Sequence, residues 1–78
     1  MSSALAQREN LPLTFLIVEL LKRKNEPVKD IELFNMLKSM VPDVSFAEFN
    51  KALMTLEIRG VIEVDLIKKN LRTIRLIA

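Results

Sequence analysis

The stretch that decides the fold reads SFAEFNKALMTLEIRGVIEV and runs from Ser45 to Val64. Ser45 and Glu48 have the spacing of a capping box, in which each side chain accepts a hydrogen bond from the backbone amide of the other residue. Helical spacing then predicts one inward face, formed by Phe49, Ala52, Leu53 and Leu56. Gly60, the only glycine of the chain, stands where a helix can end in a left-handed residue. The stretch therefore predicts a helix with both ends marked, followed by a strand.

The chain after Gly60 predicts a β-hairpin, because the spacing of its apolar residues changes to two. Apolar and acidic residues alternate from Ile62 to Leu66, and a second alternating run follows the turn KKN. Pairing Ile67 with Leu71 across a three-residue loop sets the register, with Asn70 expected in the left-handed conformation. That register predicts three further pairs: Ile62 with Leu76, Glu63 with Arg75, and Val64 with Ile74.

The segment from Leu11 to Lys24 predicts a helix with a broad apolar surface. Asn10 is its candidate cap, and Pro12 falls in its first turn. Phe15 and Val18 point away from the main apolar face, so they are expected to contact a second copy of the chain or another protein, unless they fill the monomer's own core. The inward face is predicted to comprise Leu13, Leu16, Ile17, Leu20 and Leu21.

A second helix is predicted from Ile31 to Met40. Asp30 is its candidate cap, and Val28 just before it is expected in a very short strand. The inward stripe is predicted to be Ile31, Phe34, Leu37 and Val41, with a second stripe of Leu33, Met36 and Met40 beside it.

Length and composition indicate one small domain. With 78 residues, we expect a flexible tail at 1–10 and a single folded unit at 11–78. The N-terminal residues lack the charged start and apolar core of a signal peptide. The longest apolar run is interrupted by Glu19. A cytoplasmic protein without a membrane partner is therefore expected. Half of the residues are hydrophobic, which favours a partner chain covering part of the surface.

Catalysis is not expected from this chain. It contains no histidine and no cysteine, so the usual general base, thiol nucleophile and transition-metal ligands are missing. A single glycine excludes a glycine-rich phosphate loop, and we expect neither a cofactor nor a small-molecule substrate. Glu63 and Asp65 on one strand are better explained by ion pairing within the hairpin than by a metal site.

The order helix, short strand, helix, turn, helix, hairpin resembles the winged helix-turn-helix superfamily. The residues ALMTLEIRGVIEV, at 52–64, carry the resemblance. It implies an α+β fold, with a three-helix bundle containing a helix-turn-helix and a two-stranded hairpin wing at the C-terminal end. It also implies that the third helix enters the major groove of DNA and that the wing touches phosphates. Other members of the superfamily are protein-docking or dimerisation modules.

Six residues are candidates for contact with double-stranded DNA. Asn50, Lys51 and Thr55 lie on the outward face of the third helix, where they would meet the groove. The wing is expected to contact phosphates through Lys68, Lys69 and Arg72. The net charge of +2 is modest, so such binding would be weak and salt-sensitive. The expected function is that of a transcription regulator or a chromatin-associated factor, located at the nucleoid. The competing interpretation is that the wing lysines protect a strand edge from unwanted pairing.

Two apolar residues on the outward face of the third helix favour a different function. Met54 and Ile58 stand where DNA-binding members usually carry polar or basic side chains. Together with Phe15 and Val18, they predict a protein interface. A homodimer would present two wings to one duplex, whereas an accessory subunit of a replication or transcription complex would bind little DNA of its own. The sequence leaves open whether DNA or protein is the ligand.

Overall fold

A computed structural model of the chain describes residues 12–77, and they form a small α+β domain. The predicted tail at 1–10 and the candidate cap Asn10 lie outside the described residues. The elements follow in the order α1 (Leu13–Lys24), β1 (Val28–Lys29), α2 (Asp30–Met40), α3 (Phe46–Ile58), β2 (Ile62–Lys68) and β3 (Leu71–Leu76).

The N-terminal end of α3 is a complete capping box, as the sequence predicts. The Glu48 amide donates to Ser45 Oγ at 3.0 Å, and the Ser45 amide donates to Glu48 Oε1 at 2.9 Å. These bonds satisfy donors that a helix start otherwise leaves unpaired. The inward face is also confirmed, because the buried residues of α3 are Phe49, Ala52, Leu53 and Leu56.

The C-terminal end of α3 is a Schellman motif. Gly60 has a φ of 77°, and its amide donates to the Glu57 carbonyl at 3.0 Å. The Val61 amide donates to the Leu56 carbonyl at 3.0 Å, which completes the pair of bonds that defines the motif. The predicted end of the helix at Gly60 is therefore confirmed, and it turns the chain directly into β2.

Helix α1 starts two residues later than predicted, at Leu13. Pro12 is the residue before the first helical turn rather than a member of it, and its carbonyl accepts from the amides of Phe15 and Leu16. Because proline lacks an amide hydrogen, it fits a position where no donor is needed. The helix ends at Asn25, which adopts the left-handed conformation with a φ of 55°. The predicted inward face is buried at Leu16, Ile17, Leu20 and Leu21, with Leu13 partly buried.

Helix α2 buries Leu37 as predicted, but its inward face is turned toward Leu33 and away from Ile31. Its buried residues are Asp30, Leu33 and Leu37, whereas Ile31 is exposed. The inward stripe thus begins at the carboxylate of Asp30, and the helix is rotated so that Ile31 faces outward. Phe34 lies beside the core instead of inside it.

The sheet has three antiparallel strands in the order β1-β3-β2, so the expectation of a two-stranded wing is wrong. The short strand at Val28 pairs with the far side of β3, where Val28 lies opposite Ile74. Both residues are almost completely buried, so this pairing joins the hairpin to the core beneath the three helices. The hairpin is therefore attached along β3 and not only at its base.

The register of the hairpin is confirmed along most of its length. The three predicted pairs form: Ile62 with Leu76, Glu63 with Arg75, and Val64 with Ile74. The tip differs, because Lys68 rather than Ile67 pairs with Leu71. Ile67 is the extra residue of a β-bulge, and the loop shortens to two residues. Asn70 does not take the predicted left-handed conformation, since Asn25 is the one non-glycine residue with positive φ among residues 12–77.

Candidate nucleic-acid interface

A cleft opens between the tip of the hairpin and the first turns of α2 and α3. It has a volume of about 430 Å³. Apolar and polar side chains from four elements and the hairpin loop meet in it: Asp30, Ile31, Phe46, Asn50, Leu66, Lys69, Asn70 and Arg72. Three of the six residues predicted to contact DNA are thus brought together here.

Arg72 on β3 connects the hairpin to both helices. Its Nε donates to Asp30 Oδ2 at 2.9 Å, and its Nη2 donates to Asn50 Oδ1 at 2.7 Å. The other carboxylate oxygen, Asp30 Oδ1, accepts from the Ile31 amide at 2.8 Å. Asp30 is only 4% exposed, so water cannot solvate its charge, and these hydrogen bonds compensate for the lost solvation. The prediction of Asp30 as the helix cap is wrong, because Lys29 holds the cap position and Asp30 is the first helical residue. No local pattern in the sequence indicates Arg72 as its partner.

The network uses part of the hydrogen-bonding capacity of Arg72 and Asn50. A guanidinium has five N–H donors, and Arg72 uses two of them to bind Asp30 and Asn50. The Arg72 side chain is 28% exposed, and the Asn50 amide nitrogen donates to no partner within residues 12–77. Both predicted DNA contacts are therefore held in fixed positions, with some donors remaining.

The two other helix candidates, Lys51 and Thr55, lie one turn apart on α3. The Thr55 hydroxyl donates to the Lys51 carbonyl at 3.1 Å, a bond within the helix that leaves the hydroxyl oxygen able to accept. Lys51 is exposed and forms no ion pair with any residue from 12 to 77.

The hairpin tip carries the remaining two candidates. Lys68 ends β2 and Lys69 lies in the loop, and both are exposed. In the part of the chain that the structure describes, neither lysine has an acidic partner. By contrast, Arg75 at the other end of β3 pairs with Glu63, as the register predicts.

The predicted protein-contact residues divide into exposed and packed ones. On α3, Met54 is 61% exposed and Ile58 is 78% exposed. On α1, Phe15 is exposed, but Val18 packs against the domain's own core. Met54 and Ile58 are one turn apart, so they form an apolar strip on the outward face of α3.

Two kinds of feature are absent from residues 12–77. No helix there is both long enough and apolar enough to cross a membrane. No group of three or more acidic, histidine or cysteine residues is placed to hold a metal ion.

Comparison with protein-family models, with curated protein sequences and with solved structures found no match for this chain. The three helices and the antiparallel sheet are compatible with a winged helix. The assignment of a function therefore depends on the geometry of the domain itself.

Proposed function

We propose that this protein is a small winged-helix protein that binds duplex DNA through α3 and the β2–β3 hairpin, without catalytic activity. The observation that carries the proposal is the set of exposed lysines around the cleft. Lys69 lines the cleft opposite Asn50, Lys68 precedes it at the tip, and Lys51 follows Asn50 on α3. A duplex contacting both elements would meet all three charges.

In this proposal the parts have separate roles. Lys51 and Thr55 face the groove, and Lys68 and Lys69 contact phosphates on either side of it. Arg72 and Asn50 hold the hairpin at its angle to α3, because Asp30 binds the guanidinium between the two helices. The two phosphate contacts, from Lys68 and Lys69, predict a salt dependence with a slope of about −2, at roughly −0.9 per phosphate. Binding is therefore weak and largely independent of sequence, as expected of a nucleoid-associated factor.

The test is a salt titration of binding to a labelled duplex, followed by fluorescence anisotropy. Lys68→Glu with Lys69→Glu should weaken binding by about 10-fold or more, because two phosphate contacts become repulsive. The matched control is Lys22→Glu with Arg23→Glu, which makes the same change of net charge on exposed residues of α1. No binding of the unmodified protein at about 50 mM salt, or equal losses in both variants, contradicts the proposal.

A second function is favoured by the apolar strip on α3. With Met54 61% and Ile58 78% exposed, this face resembles one that another protein covers. In that case the domain is an interaction module, either a homodimer or an accessory subunit. Sedimentation of the purified protein tests the homodimer, since Met54→Glu with Ile58→Glu should convert it to monomer. Retention of wild-type duplex binding by the same variant would place this strip outside the DNA interface.

A further inference from the structure

The side chain of Phe46 is held rigidly at the edge of the cleft although it is 39% exposed. Its ring centroid lies 5.1 Å from that of Phe34 in an edge-to-face contact and 5.6 Å from that of Phe49. Both neighbours stand in the core or beside it, so they fix the ring from within the domain. An aromatic side chain therefore lines the cleft, and its contacts leave it little conformational freedom to lose on binding.

Two other apolar side chains, Ile31 and Leu66, line the same cleft and are also exposed. The other five lining residues are polar or charged, and hydrogen bonds position three of them, Asp30, Asn50 and Arg72. The cleft thus places three apolar side chains beside positioned polar groups. Its volume of about 430 Å³ lies within the roughly 300–1,000 Å³ typical of ligand sites.

We propose that the cleft binds an unpaired nucleobase of a single-stranded nucleic acid. The base stacks on Phe46, and its edge accepts from the remaining donors of Arg72 and from the Asn50 amide nitrogen. Lys69 at the rim contacts the adjoining phosphate. A nucleotide combines in one unit the three features that the cleft can bind: a flat face for the ring, edge acceptors for Arg72 and Asn50, and an anion for Lys69. Bases inside a duplex are paired and stacked, so this activity is additional to duplex binding and does not depend on it.

The first test changes the ligand and leaves the protein intact. A labelled oligothymidylate and an abasic strand of equal length and charge are compared by anisotropy. Because base–aromatic stacking contributes substantially to such complexes, the abasic strand should bind about 10-fold more weakly or worse. Equal affinity for the two strands overturns the proposal, as does the absence of any binding to oligothymidylate.

The second test changes the platform. Phe46→Leu keeps an apolar side chain and removes the ring, and Phe15→Leu is the matched control, since Phe15 is an exposed phenylalanine on α1 that does not line the cleft. An oligonucleotide containing 2-aminopurine reports stacking through quenching of its fluorescence. Quenching should occur with the wild type and with Phe15→Leu, and should be lost with Phe46→Leu. Quenching that persists in Phe46→Leu contradicts the proposal. A second contradicting outcome is an acidic peptide that displaces the oligonucleotide from the wild type, if Phe46→Leu binds both ligands as tightly as the wild type does.

The two proposals fail separately. Phe46→Leu should leave duplex binding and its dependence on Lys68 and Lys69 unchanged. If the wild type binds oligothymidylate but not duplex DNA, the proposed function is wrong and the proposal of a base-binding cleft is unaffected.

Discussion

Arg72 and Asp30 form an ion pair although they are 42 residues apart in the sequence, and Arg72 Nε lies 2.9 Å from Asp30 Oδ2. The carboxylate is buried at the start of α2, and the guanidinium comes from β3. The same guanidinium reaches Asn50 on α3. The Arg72 side chain therefore connects the hairpin to the buried face of α2 and to α3.

Asp30→Ala is expected to destabilise the domain by about 2–3 kcal/mol. The substitution removes a charge-assisted hydrogen bond and leaves Arg72 with its main partner missing, although its partial exposure allows water to compensate in part. Urea unfolding followed by circular dichroism measures the change, since the chain has no tryptophan or tyrosine for fluorescence.

Glu32→Ala is the matched control for Asp30→Ala. Glu32 lies in the same first turn and pairs with Lys24 at 3.1 Å, but both side chains are well exposed. Exposed pairs contribute about 0.2–1 kcal/mol, so the loss should be clearly smaller. Similar losses in the two variants would mean that burial of Asp30 is not what makes its pair important.

Asp30→Asn combined with Arg72→Gln keeps the net charge of the protein unchanged. If duplex binding occurs as proposed, affinity should fall because the hairpin loses its fixed angle, yet the salt slope should stay near that of the wild type. Lys69→Gln should instead reduce the slope by about 0.9, the value for one phosphate contact. A slope reduced equally by both variants would show that Arg72 itself contacts phosphate.

Leu53→Ala is expected to cost about 2–5 kcal/mol and can unfold so small a domain. Leu53 is buried among residues of the core on the inward face of α3. Its neighbour Met54 is largely exposed, so Met54→Ala should change the unfolding free energy by less than about 0.5 kcal/mol. Thermal or urea unfolding of the pair gives the comparison, and a larger loss for Met54→Ala would contradict the orientation of α3.

Gly60→Ala is expected to destabilise the domain by about 1 kcal/mol. No atom lies within 4 Å of the position that an added Cβ would occupy, so the cost is conformational, arising from the φ of 77°. Gly60→Asn should cost less, because asparagine adopts the left-handed conformation more readily. If alanine and asparagine prove equally harmful, backbone strain does not explain the need for glycine here.

Helix α3 shows how far local pattern reaches. Both ends and all four buried residues of α3 agree with prediction, because caps and helical periodicity depend on residues a few positions apart. The face of α2 was predicted only in part: Leu37 is buried as expected, but the choice between Ile31 and Asp30 as the inward residue depends on a partner in β3. An acidic residue before an apolar run looks like a cap whether or not a distant arginine binds it.

The hairpin divides in the same way. Alternation along β2 and β3 was sufficient for three pairs, because shifting the register would expose an entire apolar face. The bulge at Ile67 was not foreseen, since a loop of two residues and one of three fit the same alternating pattern. The sites divide likewise: Lys51, Lys68 and Lys69 are exposed as expected, whereas the contribution of Phe46 to the cleft appears only when α3 and the hairpin are placed side by side.

By itself, the sequence determined where the helices and strands lie, which side of α3 is buried, and how most of the hairpin pairs, because each depends on short-range geometry and on the burial of apolar side chains. Tertiary structure alone decided that Asp30 turns inward, that Arg72 and Asn50 are joined to it, and that the hairpin tip forms a cleft with Phe46. Those outcomes require groups far apart in the chain to meet, and a buried charge is tolerated only where such a partner arrives.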